Sequence, residues 1–105
     1  MDEQAEYEKK HKVIVDMFPD AKFYICHDLE QLDKAPYGLE DIIDKKEIIL
    51  YLNPTKKIKI KCDKMTVKNI INELIKINYT PYGDHIFLEG FVKKGNNTYG
   101  MYFGS

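Results

Sequence analysis

The chain has 105 residues, 44% apolar and 31% charged, and its sixteen lysines, with no arginine, face 17 acidic residues for a formal net charge of -1. That length fits one domain, and that balance excludes a disordered or collagen-like chain. No apolar run approaches the ~18 residues of a membrane span. The acidic start lacks the basic-then-apolar order of a secretion signal, so an intracellular, reducing compartment and no membrane partner are expected.

Residues 2–18 read as a helix, with Tyr7, Ile14 and Phe18 on one stripe, His11 between them and Pro19 as the stop. Residues 22–27 alternate Phe23 and Ile25 against Tyr24 and Cys26, a strand. Over 28–45, Leu29 and Leu32 suggest a helical turn, Pro36-Tyr37-Gly38 breaks it, and Leu39, Ile42 and Ile43 suggest a second short helix. The apolar run 47–52 is a central strand. Asn53-Pro54-Thr55-Lys56 turns the chain, and 57–62 returns with Lys57, Lys59 and Lys61 on a wet face and Ile58, Ile60 and Cys62 on a packed one. Thr66 caps a helix reaching about Asn78, whose buried stripe is Val67, Ile70, Ile71, Leu74 and Ile77, with Met65 and Ile70 placed as a staple. Pro81-Tyr82-Gly83 is a turn, 85–92 a strand, Lys94 to Asn97 a turn and 98–103 the last strand.

These elements give an α+β class, helices against one face of a largely antiparallel sheet. Residues 47–105 read as a ββαββ core, a β-grasp-like layout, and 1–46 as an acidic helix-and-strand extension of the same single, two-layer domain. The alternative counts 22–27 as a first strand and 28–45 as a crossover helix, a ferredoxin-like βαββαβ with an extra strand. Two strands followed by a Thr-Val helix start resemble the ubiquitin-like domains, whose Gly-Gly tail is absent here.

Charge is divided unevenly. Residues 1–47 carry 13 acidic groups and seven lysines, residues 48–105 four and nine. Lys56, Lys57, Lys59, Lys61, Lys64 and Lys68 are opposed within 56–68 by Asp63 alone. Such a ridge suits an acidic partner or a nucleic acid. It equally suits protection of an edge strand, or neutralisation by the acidic half. Without arginine's bidentate fork, binding of nucleic acid would be non-specific.

His27-Asp28 and Asp84-His85 adjoin strand ends, and a divalent metal would need the two dyads to converge. Asp28 and Asp84 also read as turn residues. Cys26-His27-Asp28 lists a nucleophile, a base and an orienter, but strand neighbours point to opposite faces. Cys26 and Cys62 lack the spacing of a structural zinc site and read as small apolar residues. Glu89 falls by alternation on one face with Phe87 and Phe91, where burial would raise its pKa. In the last strand Tyr99, Met101 and Phe103 line one side and Gly100, Tyr102 and Gly104 the other. Tyr99, Met101, Tyr102 and Phe103 are therefore candidates for a contact surface.

Gly83 to Gly90 (GDHIFLEG) and the ending Tyr102-Phe103-Gly104-Ser105 resemble small uncharacterised proteins of large double-stranded DNA (giant) viruses. Lys, Ile, Asn, Tyr, Phe and Met, residues of AT-rich codons, make up 52 of the 105 positions, which suits that resemblance. It implies a virus-encoded chain in host cytoplasm or virion and supplies no site residues. Since no constellation meets a catalytic geometry, the expectation is a non-enzymatic interaction, adaptor or structural protein without cofactor, bound to a protein partner or to itself. Anion or nucleic-acid binding through Lys56–Lys68 is the first alternative, and a small metal-dependent enzyme using His27, Asp28, Asp84 and His85 the second.

Overall fold

The computed structural model describes residues 3–105; the first residue of the expected N-terminal helix, Asp2, lies outside them. In chain order the elements are α1 (Glu3–Met17), β1 (Tyr24–Ile25), α2 (Leu29–Leu32), a 3-10 helix (Glu40–Asp44), β2 (Glu47–Asn53), β3 (Lys56–Lys61), α3 (Val67–Lys76), β4 (Phe87–Gly95) and β5 (Thr98–Gly104). The class is α+β, as the periodicities require.

One five-stranded mixed sheet runs in the order β1-β4-β5-β2-β3. β2–β3 and β4–β5 are antiparallel hairpins, β2 pairs with β5 in parallel at the centre, and β1 pairs with β4 in parallel at one edge. Residues 28–45 form only a four-residue helix and the 3-10 turn, and β1 stands at the edge, so they supply no crossover helix for the split-βαβ alternative. Pro36 explains the interruption, because the proline ring lacks an N–H and disfavours helix before it.

Local chemistry fixes the hairpins and α3. Asn53 Oδ1 accepts the backbone N–H of Thr55 at 2.9 Å, which holds the turn around Pro54. Asn97 takes the left-handed conformation at φ 55°, one that asparagine tolerates, in the tight β4–β5 turn. Thr66 Oγ1 accepts the N–H of Asn69 at 3.2 Å and caps α3. At the other end, Asn78 turns to φ 58°, and the N–H groups of Tyr79 and Asn78 bond back to the carbonyls of Leu74 and Ile75. This is a Schellman closure with asparagine in the place glycine usually takes.

The core lies between α3 and one face of the sheet. Val67, Ile70, Ile71 and Leu74 of α3 are buried against Ile48, Leu50, Ile60, Leu88 and Tyr99 of the strands, with Met65 also fully buried. Leu32 and Ile42, each 1% exposed, close that core from the 28–45 segment. Ile14 is the one buried residue of α1, and Phe18 beyond it is buried too, so the helix is anchored at its C-terminal end beside β1. Tyr7 is 62% exposed and stays on the expected stripe only through its ring contact with His11.

Strand β4 departs from simple alternation. Its register against β5 slips between Leu88 and Gly90, leaving Glu89 as the extra residue of a bulge. Phe87 pairs with Gly104 on the face away from α3, whereas Phe91 pairs with Met101 and packs on the core. The expectation that Phe87, Glu89 and Phe91 share a face is therefore corrected: one inserted residue changes the phase of a period-two pattern. Glu89 is exposed, so the expected burial is not found.

Candidate functional site

The sheet has one face covered by α3 and one largely open, and register assigns the open face. Tyr24 of β1 pairs with Phe87 of β4, Phe87 with Gly104, Gly90 with Tyr102, Val92 with Gly100, and Gly100 with Tyr51 of β2. Directly paired residues share a face. Tyr51 in turn pairs with Lys57 of β3, Ile49 with Lys59 and Glu47 with Lys61. The open face is thus an aromatic band over β1, β4 and β5 that grades into lysines at the β3 edge.

The band is accessible. Tyr102 is 64% exposed, Val92 47% and Tyr24 43%. Stacked rings continue it onto α1: Phe87 on Tyr24 at 5.1 Å, Tyr24 on His11 at 5.8 Å, and His11 on Tyr7 at 6.0 Å. Glycines 100 and 104 leave no free hollow beside Tyr102. The Lys94 stem lies where a Gly100 Cβ would stand, and the Glu89 carboxylate where one of Gly104 would.

This corrects the contact surface expected on the last strand. Tyr99 is fully buried, and Met101 and Phe103 pack against the core. β5 lies between β4 and β2, so its alternate side chains must face α3, and of the four candidates only Tyr102 is presented.

The lysines fall into groups. Lys57, Lys59 and Lys61 share the open face of β3, an edge strand. Lys56 begins β3 at the hairpin and Lys64 lies beyond its other end. Lys68 belongs to α3 and is half-buried, so it is not continuous with the strand lysines. Lys59 pairs with Glu47 at 3.1 Å; both are about half exposed, a geometry in which an ion pair contributes ~0–1 kcal/mol. The Lys57 ammonium lies 5.8 Å from the Tyr51 ring centroid, a cation–π contact. Lys56, Lys57, Lys61, Lys64 and Lys68 make no ion pair among the described residues. Among the described residues, ion pairs between the lysine-rich half and the acidic half are Lys59 with Glu47 and Lys93 with Asp41.

The two histidine–aspartate dyads do not converge. From the β1–β4 register, His27 lies three residues past Tyr24 while His85 lies two before Phe87. Five residues of extended chain, on the order of 15 Å, separate them along the strands. One metal with ligand bonds near ~2 Å cannot span that gap. Among the described residues no group of three or more His, Cys, Asp or Glu could hold a metal ion. His85 and Asp84 are mostly exposed and 3.9 Å apart. Asp28 is the N-cap residue of α2 but makes no side-chain capping bond.

His27 is half-buried, its ring stacked on Phe91 at 6.3 Å and its Nε2 without a hydrogen-bond partner. Burial lowers its pKa from the usual 6.5, with the Gln31 side chain and Asp28 pulling the other way. Cys26, just beyond β1, lines the same hollow as His27. Burial raises its pKa and the nearby Glu89 charge adds to that, the reverse of what a nucleophilic thiol needs. Cys62 is held up likewise, by burial first and then by Glu73 and Asp63, and both cysteines are free.

Sequence reasoning missed Tyr24, Phe87, Tyr51 and Lys94 as members of the open face. The hairpin register placing Tyr51 against Lys57 was readable from Asn53-Pro54. The parallel pairings bringing Tyr24, Phe87 and Gly100 into the same plane link distant segments and leave no local trace. No helix among the described residues is long and apolar enough to cross a membrane. No family model, curated protein or solved structure matches the chain.

Proposed function

We propose that the chain is a non-enzymatic binding module whose working surface is the open sheet face and whose occupant is a protein. The observation that carries this is Tyr102, 64% exposed on an interior strand and continuous with Val92, Phe87 and Tyr24. Aromatic residues at the centre of a flat patch are the usual anchors of protein contacts, where one truncated tyrosine costs ~2 kcal/mol or more of binding. The test is a photo-crosslinking residue at position 102 and, as a control, at position 82, which is 97% exposed in the segment between α3 and β4. Discrete adducts from position 102 alone support the reading. A second copy of the chain as the adduct identifies self-association. Adducts equally frequent and diffuse from both positions refute it.

A β-grasp-like description of residues 47–105 belongs to the same proposal. It is supported by two hairpins flanking one helix, with the first and last strands of the unit parallel at the sheet centre.

A second reading, anion or single-stranded nucleic-acid binding, is favoured by one observation: Lys57, Lys59 and Lys61 share the face of Tyr51, with Lys57 over its ring. Lysine–phosphate contacts release counterions, so binding must weaken as salt rises. A gel shift that is absent, or unchanged across salt concentrations, removes this reading and leaves the first intact.

A further inference from the structure

β2 and β5 pair over only three positions, and a cleft of about 730 Å³ opens beside the last of them, Tyr51 with Gly100. We infer that this cleft is a subsite for a nucleobase-plus-phosphate unit, with Tyr51 as the stacking platform and the ammonium groups of Lys57 and Lys94 as phosphate partners. The inference rests on the second reading above and gives it a location and a ligand class.

Four observations converge on it. First, the cleft volume falls within the ~300–1,000 Å³ of small-molecule sites. Second, the cleft is lined by Tyr51 together with its β5 neighbour Gly100, whose open Cβ position is taken by the Lys94 stem. Lys94 itself lines the cleft, which puts a cationic side chain in its wall. Third, Lys57 stands over the Tyr51 ring, and neither it nor Lys94 forms an ion pair among the described residues. Fourth, no aspartate or glutamate lines the cleft. Asn53 and Thr98 add polar groups to its wall: the Asn53 carbonyl is engaged by Thr55, and the Thr98 hydroxyl donates to the Asn96 carbonyl. The Asn53 amide N–H and the Thr98 lone pairs are left for a base edge. Stacking on a tyrosine together with lysine–phosphate attraction is the combination by which proteins hold single-stranded nucleic acid without reading its sequence. It suits a lysine-only chain, since neither contact needs arginine's fork.

The same chemistry describes a free nucleotide and a nucleotide within a strand, and two probes separate them. Fluorescence anisotropy of the full chain would use labelled ATP and a labelled oligothymidylate of about twelve nucleotides, within the range that small single-strand binders cover. Binding of ATP at comparable affinity assigns the free nucleotide; binding of the oligonucleotide alone assigns the strand. Tyr51→Ala should weaken the bound probe at least about fivefold, the loss of one base–aromatic stack, while Tyr51→Phe keeps it within about twofold. Lys94→Ala should weaken it and reduce the slope of log affinity against log salt by about one. Lys68→Ala, on α3, should leave both quantities unchanged. Thermal melts of each variant confirm folding, and the Tyr51→Phe and Lys94→Ala arms keep the test decisive should Tyr51→Ala not fold. Oligonucleotide binding that is salt-dependent yet indifferent to Tyr51 and Lys94 overturns the cleft assignment and spares anion binding. Failure of both probes to bind wild type overturns both.

Discussion

Replacing Tyr99 by phenylalanine should stabilise the fold. Tyr99 is fully buried on β5, and its hydroxyl has no hydrogen-bond partner. Protein mutational data put the burial of an unpaired hydroxyl at ~1–3 kcal/mol. The ring itself is retained in Tyr99→Phe, with its core packing and the Lys45 ammonium 5.7 Å from its centroid. Only the oxygen's dispersion contacts are lost, so a net gain of about 1 kcal/mol is expected. Unfolding entropy of ~2.1 cal/mol/K per residue gives roughly 0.22 kcal/mol/K for this chain, so Tm should rise by about 4–5 °C. Differential scanning calorimetry at fixed pH and concentration reads this directly, and a urea titration should show the midpoint moving with an unchanged slope. Tyr99→Ala sets the scale by losing ~3–5 kcal/mol through the cavity it opens. A Tyr99→Phe Tm lower than wild type by 2 °C or more, roughly half the expected gain, would refute the reasoning and show that the hydroxyl is paired.

Other outcomes follow from the same structure. Thr66→Ala removes the bond to the Asn69 N–H that caps α3 and should cost ~1 kcal/mol by urea denaturation, with Thr66→Ser near wild type. Leu50→Ala, at a fully buried site on a central strand, should cost ~2–5 kcal/mol by the same measurement. The folded state holds His27 below its ordinary pKa of 6.5, so it favours the neutral ring over the protonated one. The unfolded chain binds that proton more readily. The resulting stability is complete above pH 6.5, declines as pH falls through that value, and levels off beneath the folded pKa. Other groups around the same hollow are Lys10 and His11 of α1 with Cys26 and Asp28, so His27→Gln should flatten the acid limb of a stability–pH curve without abolishing it. Both thiols titrate above their usual value, so iodoacetamide at neutral pH should alkylate Cys26 and Cys62 of the native chain more slowly than the same residues in urea.

The hairpins and α3 were legible because their signals are local: a turn at Asn53-Pro54, a cap at Thr66, and a stripe at 3.6-residue spacing that holds from Val67 to Leu74 and fails at Ile77, the C-cap, which is 45% exposed. What the sequence hid is long-range or out of phase. Nothing near Tyr24 announces that it will lie beside Phe87, 63 positions later, or that β1 will shrink to two paired residues. The bulge at Glu89 was invisible because alternation counts residues and cannot detect one that the partner strand skips. That slip misassigned Phe91. Alternation separates the two sides of the last strand but does not say which side meets the helix, so it offers Tyr99, Met101 and Phe103 for contact; β5 lies between β4 and β2, and those three face the core. The lysine face of β3 was readable from alternation alone. Its division from Lys68 required knowing that α3 occupies the other layer.

The parallel seam between β2 and β5 joins Ile49 to Thr98, so the middle of the sheet is knit from segments about fifty positions apart. Each hairpin can zip from its own turn, but neither half can bury Tyr99 or Leu50 until the chain has closed that long loop. Refolding should therefore be limited by a single late docking of two preformed halves, slower than a helical protein of equal size.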